Sequence, residues 1–207
     1  MKKYRTPQEK FWAGSFGDEY TARNTNAKII ASNMALFAEI FSHTSAIASV
    51  IELGAGSGNN LRVITKLLPS CELSAVEINT KAVSELKKIK GIEIYHESLL
   101  NFSSPIKYDL VLVKGILIHQ SPKELQKIYQ LMYELTNKYI CLVEYYNPTP
   151  IDVNYRGHEG FLFKRDFAGE ILDCYPKLSL RSYGFSYHRD YNFPLDDTNW
   201  FLLEKKS

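Results

Sequence analysis

The chain has 207 residues, 45% of them hydrophobic, enough for one substantial core and read as a single domain. Its 25 basic and 23 acidic residues leave a net charge of +2 with no run of five like charges, which argues against a nucleic-acid or membrane-surface footprint. Three cysteines, Cys71, Cys141 and Cys174, show no Cys-x-x-Cys pairing and no histidine at ligand spacing, so they are expected to be reduced core residues of a cytoplasmic protein without a metal site.

The start, Met1 to Arg5, is basic but runs into polar residues, so no signal peptide is expected, and no apolar run approaches the roughly 20 residues of a spanning helix. Trp12, Phe16 and Tyr20 mark a segment expected to close over a ligand, and residues 1–45 are read as a helical lid. Within it, Ile29, Ile30, Met34, Leu36, Phe37, Ile40 and Phe41 recur near helical spacing and predict an amphipathic helix from Thr25 to about His43.

Residues 46–148 read as a ligand-binding core. A buried strand, Ser49–Leu53, enters the glycine turn Gly54-Ala55-Gly56-Ser57-Gly58, and a helix follows from Asn59 to Leu68, ended by Pro69. The strand Glu72–Ile78 leads to a helix Lys81–Lys90, with Thr80 as its cap and Gly91 as its stop. Strands are predicted at Ile92–His96 and Asp109–Val113, the second short and apolar, as in a parallel sheet covered on both faces. Ser121, Pro122 and Glu124 have the spacing of an N-cap, a first helical position and a capping-box acid, for a helix reaching about Asn137. The strand Tyr139–Glu144 completes an alternation that specifies a parallel sheet with right-handed crossovers. In residues 149–207, Ser179–Tyr187 and Trp200–Lys205 are separated by a turn-rich stretch with no helix, so they should pair antiparallel at one sheet edge.

In an open α/β sheet the ligand lies beyond the carboxyl ends of the strands, where strand order reverses, and the glycine turn stands at that place. A pyrophosphate turn needs Gly-x-Gly-x-x-Gly, its third glycine allowing close helix packing. Here Asn59 occupies that third position and Gly58 comes one residue early. Glu77, at the end of the second strand, suits ribose hydroxyls in dinucleotides and in S-adenosylmethionine alike. The glycine pattern with Glu52 two residues before it resembles the first motif of class I S-adenosylmethionine-dependent methyltransferases.

This resemblance implies a Rossmann-like α/β fold: a mostly parallel seven-stranded sheet with an antiparallel last strand and helices on both faces. It implies that Gly54, Ala55, Gly56 and Gly58, with Asn59 beside them, let the backbone approach the methionine moiety, and that Glu52 answers its cationic end. Glu77 would bind ribose, Ile78 would pack on adenine, and Glu97, Ser98 and Leu99 would touch the adenine edge or stand as ordinary loop residues. Lys114 follows the fourth strand at the cofactor, and Tyr20, Arg23 and Asn24 are expected to reach the cofactor carboxylate.

After the fourth strand, Lys114-Gly115-Ile116-Leu117-Ile118-His119 lacks the Asn/Asp-Pro-Pro-Tyr clamp of adenine-specific nucleic-acid methyltransferases, which disfavours flipped-base chemistry. His119 stands where small-molecule methyltransferases often carry a histidine. It is either a general base or an imidazole that closes a helix start.

Phe11-Trp12-Ala13-Gly14-Ser15-Phe16-Gly17-Asp18-Glu19-Tyr20, Glu144-Tyr145-Tyr146-Asn147-Pro148, Tyr155-Arg156-Gly157-His158 and Phe163-Lys164-Arg165-Asp166-Phe167 resemble methyltransferases associated with pseudaminic acid biosynthesis. That narrower resemblance implies a sugar or nucleotide-sugar acceptor of the nonulosonic acid pathway. Trp12 or Tyr146 would stack on it, Asn147, Tyr155 and His158 would line it, and Arg156 would grip a carboxylate or phosphate. Lys164-Arg165-Asp166 is read as a solvated helix start with a local ion pair. Alternatives are a non-catalytic cofactor-binding partner and a methyltransferase acting on a protein or glycoprotein. A nicotinamide enzyme is disfavoured by Asn59 and Glu52, and the choice between monomer and homodimer stays open.

Overall fold

The computed structural model describes residues 4–23 and 27–206. Two short helices, α1 (Pro7–Ala13) and α2 (Ser15–Arg23), precede α3 (Ala27–Ser42). The core then runs β1 (Ser49–Leu53), α4 (Asn59–Leu67), β2 (Glu72–Val76), α5 (Thr80–Leu86), β3 (Ile92–Tyr95), β4 (Tyr108–Lys114), α6 (Leu125–Leu135) and β5 (Thr136–Glu144). A small hairpin, β6 (Ile151–Asp152) with β7 (Phe163–Lys164), leads to α7 (Phe167–Cys174), β8 (Leu178–Phe185) and β9 (Asn199–Lys205).

The sheet order is β3-β2-β1-β4-β5-β9-β8. The first five strands pair in parallel, and β9 runs antiparallel to both β5 and β8. Side chains alternate between the faces, as a two-residue period requires. Val50, Leu110, Leu112 and Cys141 pack with α3 and α4, whereas Ile51, Val111, Val113 and Ile140 pack with α6 and α7. Burial on both faces explains why β1 and β4 read as continuous apolar runs. Strand order reverses between β1 and β4, so the crevice beyond their carboxyl ends is where a ligand fits.

Several boundaries differ from the sequence reading, each for a local reason. Helix α5 is capped by Asn79, whose side chain accepts from the Ala82 N–H at 2.9 Å, so Thr80 is the first helical residue and the helix ends at Leu86. Strand β2 ends at Val76, which leaves Glu77 and Ile78 as free ends of the strand facing the crevice. Ser121 makes no side-chain cap; Pro122–Glu124 form a 3₁₀ turn, α6 starts at Leu125, and Thr136 and Asn137 are drawn into β5. Helix α7 lies between the fifth strand and the final strand pair, capped by Asp166 accepting from the Gly169 N–H at 2.8 Å. The helix start expected at Lys164-Arg165-Asp166 is there, with Asp166 as cap, but it is half-buried rather than solvated: Lys164 belongs to β7 and Arg165 pairs with Glu170 at 2.5 Å.

Candidate functional site

β1 delivers the chain into a turn whose Gly54, Gly56 and Gly58 have φ of +74°, +54° and +81°, a region closed to most side chains. The three are not equivalent. A Cβ on Gly54 would meet Ile116 Cδ1 at 2.4 Å, and one on Gly58 would meet Ile89 Cδ1 at 2.6 Å, while one on Gly56 would meet nothing within 4 Å. Gly58 therefore serves helix packing and does not border the crevice, contrary to its expected role beside a ligand. Gly54, Ala55, Gly56 and Asn59 border a cavity of about 730 Å³ over the strand ends, in the size range of small-molecule sites.

Two buried carboxylates flank the turn. Glu77 receives the Gly56 N–H on Oε2 and the Asn79 N–H on Oε1, each at 2.7 Å, so it ties the glycine turn to the end of β2. Burial raises its pKa, and the backbone donors oppose that rise. Glu52 is held from one side only: Asn60 Nδ2 donates to Oε1 at 2.6 Å, and Oε2 is buried with no partner. Its burial pushes it up to about 8, against the Asn60 hydrogen bond and the charge of Lys114. Lys114 is itself lowered by burial, opposed by Glu52, Asp196 and Glu144.

Beyond β4 the chain makes a 3₁₀ turn, Leu117–His119, and Glu144 at the end of β5 anchors it. The Ile116 and Leu117 N–H groups donate to Glu144 Oε1 at 2.8 and 3.0 Å, and the Ile118 N–H to Oε2 at 3.4 Å. His119 is thereby fixed in the cavity wall, with Nδ1 donating to the Phe161 carbonyl at 2.6 Å. That bond commits the proton to Nδ1 and leaves Nε2 as the basic nitrogen. Burial lowers the imidazole to about 4, opposed by the Phe161 bond, so the ring is neutral near pH 7. The Trp12 and Tyr155 rings each lie 4.7 Å from it, and the buried Trp12 Nε1 has no partner.

Helices α1 and α2 cover this cavity and are tied down at both margins. On one side Ser98 Oγ donates to Glu9, and Asn79 Nδ2 donates to the Trp12 carbonyl and to Asp18 at 3.1 and 2.9 Å. Opposite, Gln8 Nε2 donates to the Gly160 carbonyl at 2.8 Å, and Phe11 packs against Phe161 at 4.5 Å and His158 at 5.0 Å.

Of the residues singled out in the sequence, fifteen border the one cavity: Trp12, Tyr20, Glu52, Gly54, Ala55, Gly56, Asn59, Glu77, Ile78, Ser98, Leu99, Lys114, His119, Tyr155 and Arg156. Six do not. Arg23 and Glu97 are exposed, Gly58 is packed under Leu86 and Ile89, and Asn147 donates to the Thr149 carbonyl at 2.6 Å. Tyr146 faces Phe201 at 6.0 Å, away from the crevice, because successive residues leaving a strand point to opposite sides. His158 packs on the outside of Phe11. Asn24 lies outside the described residues.

Other cavity residues went unnoticed in the sequence, among them Glu9, Asn33, Asn60, Asn79, His188 and Asp196. Asn33 had a visible signal: it falls four residues after Ile29 on the apolar stripe of α3, where a polar residue asks for a partner. Among the described residues no group of three His, Cys, Asp or Glu side chains could hold a metal ion, and no helix is long and apolar enough to cross a membrane.

No protein-family model matches the chain, and no curated protein matches it significantly. Solved structures do. The Burkholderia thailandensis 1,6-didemethyltoxoflavin-N1-methyltransferase, with bound 1,6-didemethyltoxoflavin and S-adenosylhomocysteine, is similar at a TM-score of 0.71 and 11% identity, covering 100% of this chain and 93% of that one. Magnesium protoporphyrin IX methyltransferase from Synechocystis PCC 6803, with bound S-adenosylhomocysteine, gives 0.67 and 14%, covering 95% and 96%. The N-methyltransferase NodS from Bradyrhizobium japonicum WM9, with the same bound product, gives 0.64 and 14%, covering 90% and 91%. Across its length the chain has the Rossmann-like fold of class I S-adenosylmethionine-dependent methyltransferases, as the glycine motif implied.

Proposed function

We propose that the protein is an S-adenosylmethionine-dependent methyltransferase acting on a small acceptor. The observation that carries this reading is the acidic lining of the glycine turn. Of the two buried carboxylates that flank it, Glu77 suits the ribose of either cofactor class, whereas Glu52 suits a sulfonium amino acid and opposes a pyrophosphate. The unpartnered Glu52 Oε2 is an acceptor waiting for a donor, so the residues fit this cofactor. The solved structures with S-adenosylhomocysteine bound support the same reading.

When bound, the sulfonium supplies an activated methyl group for in-line displacement. The chain's own work is to orient and to exclude water. Gly54, Ala55, Gly56 and Asn59 give the ligand backbone access, Glu77 offers its carboxylate to ribose hydroxyls, and Ile78, Ser98 and Leu99 flank the adenine end. Alignment of acceptor and donor can contribute about 7 to 11 kcal/mol of barrier lowering. His119 Nε2 takes the acceptor's proton, in a pocket walled by Trp12 and Tyr155. Residues 1–45 act as the lid, 46–148 as the cofactor core and 149–207 as the acceptor side.

For the acceptor we favour a sugar or nucleotide-sugar of the pseudaminic acid type, supported by the motif resemblance and by Arg156 at the cavity margin, held at φ +52° over the Tyr155 ring. A cavity roofed by two helices favours a small molecule over a protein surface. Calorimetric titration with S-adenosylmethionine and, separately, NAD tests the cofactor: micromolar binding of the first alone is expected, and binding of NAD instead overturns the reading. Incubation with nonulosonic acid pathway sugars then tests the acceptor by a methyl mass gain, and transfer to none of them overturns the sugar assignment.

A further inference from the structure

Helix α1 carries two unpartnered polar atoms, one turn apart, on the side it turns to the cavity. Gln8 and Trp12 stand four positions apart, so their side chains share one helix face with Cβ atoms about 5–6 Å from each other. Gln8 Nε2 donates to the Gly160 carbonyl at 2.8 Å, which fixes the amide and leaves Oε1 as a buried acceptor with no partner. Trp12 Nε1 can only donate, and it is buried with no acceptor. Both residues border the cavity. The Trp12 ring lies 4.7 Å from that of His119, whose Nε2 is the acceptor left once Nδ1 donates to the Phe161 carbonyl.

An unpaired buried donor and an unpaired buried acceptor each cost free energy unless a ligand supplies the complement. The pairing of Trp12 with His119 narrows that ligand. A hydroxyl oxygen has two lone pairs and one proton. It can accept from Trp12 Nε1 with one lone pair, attack a methyl group with the other and give its proton to His119 Nε2. A neutral amine has a single lone pair, so accepting from Trp12 would leave it no electrons for the attack. We propose that the acceptor atom is a hydroxyl oxygen held between Trp12 Nε1 and His119 Nε2, and that Gln8 Oε1 accepts from a second hydroxyl beside it, so that α1 reads a polyol.

The proposal rests on the methyltransferase reading and deepens it: transfer is to oxygen, and Gln8 and Trp12 select the acceptor. As the new C–O bond forms, the C–S bond breaks with its electron pair left on sulfur as a thioether, and the hydroxyl proton passes to His119 Nε2. Both reading atoms sit on α1, which Ser98 and Asn79 tie down over the cavity, so the covering helix recognises the acceptor as well as enclosing it.

The test uses the full chain saturated with S-adenosylhomocysteine, whose binding is measured first by calorimetry. If it does not bind, the methyltransferase reading fails and the proposal falls with it. Glucose 6-phosphate and cyclohexyl phosphate then serve as probes, alike in carrying a six-membered ring and a phosphate, but only the first bears ring hydroxyls. In proton–nitrogen correlation spectra the Trp12 indole N–H is expected to move downfield with the sugar phosphate and to stay in place with cyclohexyl phosphate. Trp200, buried outside the cavity wall, is the internal control. The sugar phosphate should bind about tenfold more tightly, and Trp12→Phe and Gln8→Leu should each remove most of that preference while leaving cyclohexyl phosphate within about twofold. No movement of the Trp12 resonance with the sugar phosphate, or equal movement with both probes, overturns the proposal, as does a methyl group found on nitrogen in any product.

Discussion

His119 shows how one buried ring is set by its surroundings. Burial lowers it to about 4, so the native protein resists protonation of a group that the unfolded chain protonates near its ordinary value of about 6.5. Stability from this residue is therefore fully present above about pH 6.5 and is lost as pH falls towards 4, because in that window the unfolded state binds more protons. Between pH 7 and pH 5 the loss should be about 2 kcal/mol. The raised carboxyls of Glu52 and Glu144 act in the opposite direction, so the comparison must be with His119→Gln. Urea midpoints at the two pH values should drop further for the native protein than for the variant, and parallel shifts would show that the ring is solvated. On the proposed function, the same neutral ring would stand beside a cationic sulfonium without repulsion.

Helices α1 and α2 form the element that turns an open crevice into a chamber. Thr6 and Glu9 build a reciprocal capping box, Glu9 accepting from the Thr6 N–H at 3.0 Å and Thr6 Oγ1 accepting from the Glu9 N–H at 3.1 Å. Glu9 also accepts from Ser98, so the cap that starts α1 is also the peg that holds it over the cavity. Removal of residues 1–24 strips Gln8, Glu9, Trp12 and Tyr20 from the cavity wall and is expected to raise the Kd for S-adenosylmethionine tenfold or more. An unchanged Kd in a folded deletion variant would sink the lid assignment.

At the scale of the whole molecule, the site depends on a strand that it does not touch. β9 lies between β5 and β8 and closes the core on both faces, with Leu202 and Leu203 each fully buried on opposite sides. Leu203→Ala should cost about 2 to 5 kcal/mol of stability by the loss of burial and the cavity left behind. Chemical denaturation reads that loss, and the Kd for cofactor in the folded fraction should not change, since Leu203 lies outside the cavity wall. A change in Kd larger than twofold would mean that β9 sets the geometry of the turn.

Much of this was legible in the residues themselves. Strands β1 and β4 announced themselves as apolar runs because both their faces are covered, and the turn with Glu52 and Glu77 could be read because glycine and buried acid have few substitutes at such places. Boundaries were less legible where two capping residues compete, as at Asn79 and Thr80, since backbone angles decide which side chain reaches the orphan N–H. Tyr146 and Tyr145 are adjacent and chemically alike, yet only Tyr145 borders the cavity, because the direction in which β5 ends selects between them. The partners of His119 and Glu52 come from Phe161 and Asn60, the one 42 residues away and the other across a turn. The sequence by itself determined the alternating strands and helices of the core and the glycine turn that borders the cavity, because those follow from local pattern and backbone chemistry. Only the tertiary structure decided which amides face which carboxylate, because long-range contacts depend on how strands and helices pack and no spacing along the chain encodes them.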